Sequence, residues 1–495
     1  MCVTPTQAGF GARRIYYNNF AEHLLNAYNP NMTYPGLPHR WSDDDWRACI
    51  DMLASFGYNV FEFWLVPRLF CREGLESDFG REFARQMNLA GEHAHRRGMK
   101  LEFICGLATV GSDWHTYCPN IADEWRELRY LWEQWLRRLP QADIVGFFPG
   151  DPGACSRNGC TALTYIDKCC EIAALARSIL PRAEIELGTW GPPFFGWGNI
   201  RGPEGWKGEF IAPWQHTAWD FDKRRADESM RHLVKRLPDF PDNTSVALNM
   251  GFNSDGNPVG DQDARPWIQE IARTNAVYTW DFSLTEGENA IVPHWRFERL
   301  FQQRREERSA GPYQGGICFT MTPKLNQLTL FMAAQSFLRP DAAPADVAGE
   351  FLSGMLGPVG RELVPLLPLF EVIRDWGNYH EIQMPRAEYH AKLCAMREIL
   401  ESAAGKETDA YPVFPSPSAW REEMLFFARL FADLSDSAPD YDALHDRYWQ
   451  RVYPIYDQLP EHVDPRPRHA AKALVRQFLN WDRSADAGPI PGKWQ

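Results

Sequence analysis

Three acidic side chains stand where β-forming stretches give way to turns. Asp151 follows Phe147-Phe148-Pro149-Gly150 and precedes Pro152-Gly153, while Asp281 and Glu286 lie in Trp280-Asp281-Phe282-Ser283-Leu284-Thr285-Glu286. Carboxyl groups brought together from separate turns can divide the work of cleaving a glycosidic bond. One protonates the departing oxygen, and the other attacks the anomeric carbon or activates water. Asp151 is the expected general acid, with Glu286 or Asp281 as its partner. Each also has an ordinary role open to it. Asp151 can cap the helix that follows or pin its glycine-rich turn, and Glu286 or Asp281 can be a solvated loop acid.

Side chains able to hold a sugar fall at comparable places. The chain has 20 Trp and 17 Tyr residues, and rigid aromatic planes can stack on the C–H faces of a pyranose. Tyr16, Trp64, Trp114, Trp190 and Trp280 are expected to meet in one cleft. Asn18, Glu62, Arg68, His115, His216, Asn249 and His294 are the expected polar contacts. Alternation along a strand puts Glu62 on the same face as Trp64. Glu186 has the inward parity of Trp190 and reads equally as a buried barrel acid or a catalytic one.

No His-Glu-x-x-His or other metal-ligand spacing is present. Cys155-x4-Cys160 could be half of a zinc site completed by Cys169 or Cys170, but buried thiols are the expected state. Neither a metal nor an organic cofactor is therefore expected. The 11 cysteines are scattered and odd in number, which suits reduced thiols and a cytoplasmic location rather than a disulfide framework.

The elements that must position these residues alternate. Strands are expected at 14–20, 59–65, 100–105, 144–148, 184–190, 245–250, 276–280 and 316–321, with helical patterns between them. Ser42 can cap the first helix, in which Trp46, Ile50, Leu53 and Phe56 recur at helical spacing before Gly57. Eight strand–helix units imply a closed (β/α)₈ barrel, whose reactive groups lie at the C-terminal strand ends. No Gly-x-Gly-x-x-Gly follows a strand, which counts against dinucleotide binding. Beyond about Lys324 only helical patterns continue, among them 325–337, 345–355, 361–376, 387–403, 419–434 and 441–459. The expected division is a barrel over residues 1–322 and a C-terminal α-helical domain over 323–495.

Charge narrows the partners. The formal net charge of −13, without a basic stripe, argues against nucleic acid, and no apolar run approaches a membrane span. The N-terminus shows no signal-peptide pattern, although a trimmed signal would leave the same sequence. A carbohydrate is the expected partner, and any self-association is expected through the helical domain.

Trp41-Ser-Asp-Asp-Asp-Trp46 through Phe56-Gly-Tyr-Asn59 resembles the first helix and second strand of barrel glycoside hydrolases of the α-glucuronidase and β-hexosaminidase type. Gly150-Asp151-Pro-Gly-Ala-Cys155 is similar to their fourth strand end, and Asn326 to Asp341 followed by Val347 to Gly357 to the helices after their barrels. The resemblance implies an exo-acting glycosidase. It departs at Gly150-Asp151-Pro152, where paired acids would serve acetamido-assisted chemistry. It also departs at the N-terminus, where the first barrel strand begins without the mixed α/β domain usual in several relatives. Two other readings stay open: a metal-dependent barrel lyase or isomerase acting on a sugar, and a catalytically inactive carbohydrate-binding barrel.

Overall fold

The computed structural model describes residues 10–17, 41–111, 115–149, 155, 157–189, 218–249, 265–281, 293, 295–320, 323–370, 380–381, 384–452 and 479–480. Eight strands form the closed barrel anticipated from the alternation. They are β1 (Ala12–Tyr17), β2 (Val60–Trp64), β3 (Lys100–Gly106), β4 (Ile144–Phe148), β5 (Glu184–Gly188), β6 (Thr244–Asn249), β7 (Ala276–Asp281) and β8 (Gly315–Thr320). Neighbours in the barrel are neighbours in sequence, and β8 closes on β1. The registered neighbours are parallel, as right-handed strand–helix–strand crossovers require.

Alternation sorts the strand residues between two environments. Glu62 and Trp64 point into the barrel, while Phe61 and Phe63 point outward. Phe63 meets Phe83 of helix α2 (Asp78–Arg96) edge-on with ring centroids 5.6 Å apart. Helix α3 (Ala122–Arg138) buries Trp125, Leu128, Leu131, Trp132, Trp135 and Leu136, the stripe that a 3.6-residue period produces. Trp132 packs against Phe103 of β3 and Phe147 of β4, and its indole N–H donates to Leu107 O. Burying the polar edge with a partner lets a large ring join the core at little cost. Helix α4 (Ala162–Ile179) starts at a Thr161 capping box, and its Tyr165 hydroxyl donates to Gly188 O at the end of β5.

The chain packs as two compact units, Met1–Phe20, Tyr58–Phe282 and Arg304–Phe319 in one and Ala21–Gly57, Ser283–Gln303 and Thr320–Gln495 in the other. Helix α1 (Asp43–Phe56), between β1 and β2 in sequence, packs within the second. Its ends follow the sequence signals. Ser42 and Asp45 form a capping box, and Gly57 stops the helix at φ 106°. Phe56 meets Phe331 and Phe351 edge-on, each at 5.4 Å. Those rings belong to two helices of the second unit, Pro323–Leu338 and Pro344–Leu356. Further helices cover Arg386–Ser402, Pro417–Leu434 and Tyr441–Val452.

Two expectations are corrected. The helix expected over 361–376 is a 3₁₀ stretch, Gly357–Phe370, in the described residues. Pro365 and Pro368 remove backbone donors that an α-helix would use, and their three-residue spacing suits the tighter coil. Beyond the barrel a two-residue parallel pairing joins His380–Glu381 to Leu479–Asn480, where no strand was expected. No described helix is long and apolar enough to cross a membrane.

Candidate functional site

The barrel interior contains a buried polar cluster. Arg14 of β1, Glu62 of β2, Glu102 of β3 and Glu186 of β5 have essentially no contact with water. Glu62 and Glu102 are register partners, and Gly146 of β4 is the partner of Glu186. Gly146 matters because a methyl there would come within 3.1 Å of Glu102 Oε1 and 3.0 Å of Ile104 Cγ1. The glycine in Ile-Val-Gly-Phe-Phe makes room for the carboxylate. Arg14 Nη1 donates to Glu102 Oε2 at 2.8 Å and also to Glu186 Oε2. Its guanidinium lies 4.1 Å from the centre of the Tyr278 ring, a cation–π contact.

The charges in this cluster are unequal. Three carboxyl groups face one guanidinium, so neutrality requires two protons. Burial, then Glu102 and Glu186, push the Glu62 carboxyl well above its ordinary range, against the opposing pull of Arg14. Burial does the same to Glu102 and raises Glu186, again opposed by Arg14. Burial alone would lower Arg14, but Glu102 and Glu186 outweigh it and keep the guanidinium charged. Neither Glu62 oxygen has a hydrogen-bond partner among the described residues. The carboxylates lie within 4.8 Å of one another, close enough to hold a cation, and Arg14 supplies one. Sequence reasoning gave Glu186 this buried role as one alternative, but it assigned no role to Arg14 or Glu102. The inward parity of Glu102 in Lys-Leu-Glu-Phe was the available signal.

Toward the C-terminal strand ends the lining becomes aromatic. Trp64 meets Phe148 edge-on at 5.9 Å, and a methyl at Gly188 would come 3.2 Å from the Trp280 ring. Trp64 and Trp280 are 4% and 1% exposed, so both belong to the packed interior. Glu62 lies deeper, within the ionic cluster rather than at the rim. Arg68 follows β2, half-buried, with its guanidinium 5.8 Å from the Phe79 ring centre. His115 is exposed in a short hairpin pairing Thr109–Val110 with His115–Thr116, and meets the Tyr117 ring edge-on at 5.5 Å. Asn249 and Asp281 are the last residues of β6 and β7, and Tyr16 is on β1. Asp151, Glu286, Asn18, Trp114, Trp190, His216 and His294 lie outside the described residues, as do the side chains of Tyr16, Asn249 and Asp281.

A cavity of about 600 Å³ opens at the opposite, N-terminal mouth of the barrel, lined by Arg14, Asn59, Lys100, Glu184, Tyr278 and Tyr313 among others. That end of a (β/α)₈ barrel serves stability, whereas chemistry is mounted on the C-terminal loops. A second polar group lies beyond β3 and β4, where the thiols of Cys118, Cys155 and Cys160 gather within 4.8 Å of one another. Cys169 and Cys170, expected as possible completions of a Cys155–Cys160 pair, are instead buried on α4 outside that group.

No protein-family model matches the chain, and no curated protein matches it by sequence. Solved structures share its fold. The O-GlcNAc hydrolase of Thermobaculum terrenum, solved as a point mutant, aligns with 95% of this chain and 93% of its own at TM-score 0.50 and 13% identity. A GH138 enzyme targeting pectin rhamnogalacturonan II aligns with 91% of this chain and 62% of its own, at TM-score 0.49 and 9% identity. At these identities the likeness is one of fold.

Proposed function

We propose that the protein is a glycoside hydrolase that removes a terminal sugar, with Asp151 as general acid and Glu286 or Asp281 as the second carboxylate. The observation that carries this reading is the closed barrel together with where its strands end. β4 ends at Phe148, three residues before Asp151, and β7 ends on Asp281, five residues before Glu286. Loops after barrel strands are where this architecture mounts catalytic groups. Strands β4 and β7 are separated by β5 and β6, so acids following them come from different sectors of one rim. A sugar held between such acids can receive a proton on one side and a nucleophile or activated water on the other. The likeness of fold to an O-GlcNAc hydrolase supports this reading.

The test is hydrolysis of a panel of chromogenic monosaccharide glycosides by the full chain, with and without a chelator, alongside calorimetric binding of the free sugars. Turnover of at least one glycoside is the expected result. Sugar binding without turnover of any glycoside would favour a binding barrel and overturn the reading.

A further inference from the structure

We propose that Cys118, Cys155 and Cys160 form a zinc site that clamps together the segments following β3 and β4. The three thiols come from two stretches, with Cys118 and Cys155 37 residues apart, yet all are buried at 2% exposure or less. Cys118 Sγ lies 3.6 Å from Cys160 Sγ, and all three sulfurs fall within 4.8 Å of one another. Zinc–thiolate bonds of about 2.3 Å in a tetrahedron place sulfurs about 3.8 Å apart, so little movement separates the present spacing from a coordinated one. The site supplies three thiolates. Among the described residues no fourth His, Cys, Asp or Glu joins the group, which leaves one coordination position to water or another ligand.

The surrounding residues hold the two segments in register. Arg157 pairs with Glu124 at 2.6 Å and donates to Thr116 O at 2.8 Å, while Glu124 also accepts from the Cys118 backbone N–H. Asn120 Nδ2 donates to Asn158 O at 2.9 Å, linking the same segments again. Just before Cys160 the chain turns tightly through Asn158 at φ 49° and Gly159 at φ 71°, both in the left-handed region. Asn158 is the one non-glycine residue in that region among those described. Asn158 Nδ2 in this turn approaches Cys118 Sγ at 3.7 Å. Strain of this kind persists where surrounding contacts over-determine it. Zinc binding would replace the thiol protons, releasing up to three into solvent with no change of oxidation state.

Zinc content of the purified full chain is measured first, followed by chelation under reducing conditions and titration with Co²⁺. One zinc per chain is expected, then a thiolate-to-cobalt charge-transfer band that saturates at one equivalent. Cys118→Ala and Cys160→Ala should weaken Co²⁺ binding at least about 100-fold. Cys169→Ala, a buried thiol outside the cluster, should leave it unchanged. If the variants fail to fold, alkylation of the wild-type chain decides the matter: zinc should protect Cys118, Cys155 and Cys160 from a thiol reagent. Absence of both the charge-transfer band and zinc protection would overturn the proposal. A disulfide between any two of the three in freshly isolated protein would do the same.

Discussion

Arg14 Nη1 donates to Glu102 Oε2 at 2.8 Å inside the barrel, with side-chain exposures of 2% and 0%. The same nitrogen also serves Glu186. One guanidinium therefore balances a carboxyl cluster contributed by three strands, and the barrel's interior depends on a cation from its first strand. A buried cluster of this sort stabilises less than an apolar one of equal volume, but losing Arg14, its one cation among the described residues, is expensive.

Arg14→Met is accordingly expected to destabilise the protein by about 3 to 5 kcal/mol near neutral pH, because acids are left buried without their cation. The loss should be smaller in acid, where the carboxyls take up protons and need no counter-charge. Urea denaturation of wild type and variant at pH 5 and pH 8 tests this. Equal losses at both pH values would show that Arg14 contributes packing rather than charge.

Glu62 leads to a prediction of opposite sign. Burial and its two acidic neighbours raise its carboxyl well above the ordinary range, so the folded state holds a proton that the unfolded state releases. Between the unfolded and folded values the native state binds more protons, and stability falls as pH rises through that window. Glu62→Gln keeps the size and removes the ionisation. The variant should match or exceed wild type in thermal stability at neutral and alkaline pH, and the advantage should disappear as pH falls toward the ordinary carboxylate range. A variant less stable than wild type at neutral pH, with the deficit closing as pH falls, would mean that Glu62 is held charged.

The barrel was legible in the sequence because its strands are short apolar runs separated by capped helices. Ser42 and Gly57 mark the ends of α1 by side-chain capping and a left-handed backbone, both local effects. The interior was less legible. Arg14 and Glu102 are adjacent only because β1, β2 and β3 lie side by side, and neither residue announces a partner 88 positions away. Glu62 carried the parity of a rim residue, but parity gives the side of a strand and not the depth along it. The thiol cluster failed for a related reason. Cys155 and Cys160 are near in sequence, but Cys118 joins them through the ordering of β3 beside β4. The 3₁₀ stretch was misread because its leucines also fit a helical period, and its prolines decided otherwise.

Closure of the barrel makes a further demand at its seam. Ala12 N donates to Gln314 O at 3.0 Å, and a methyl at Gly315 would lie 1.9 Å from Ala12 O. Both atoms are backbone-bound, so neither can swing aside. Gly315→Ala must push β8 away from β1 and is expected to cost about 1 to 3 kcal/mol or more. Faster hydrogen exchange of the Ala12 amide, relative to amides in β3 and β4, would locate the damage. Unchanged stability would mean that the strands separate at the seam without penalty.

Asp151→Asn tests the assignment on which the proposed chemistry turns. A general acid has to keep its proton until the glycosidic bond breaks, and then deliver it to an oxygen that would otherwise leave as an alkoxide. Asparagine retains the size and much of the hydrogen bonding but has no proton to transfer, so the fold and sugar affinity should survive. Turnover should fall by roughly 10² to 10⁴ on a glycoside with a poor leaving group. On an aryl glycoside whose phenolate departs readily the loss should shrink, since that departure needs little protonation. The ratio of the two losses is the informative quantity. A structural defect lowers both rates alike, whereas removal of a general acid separates them. If the variant cleaves a poor-leaving-group substrate at close to the wild-type rate, Asp151 is not the acid, and the search moves to Glu286 and Asp281.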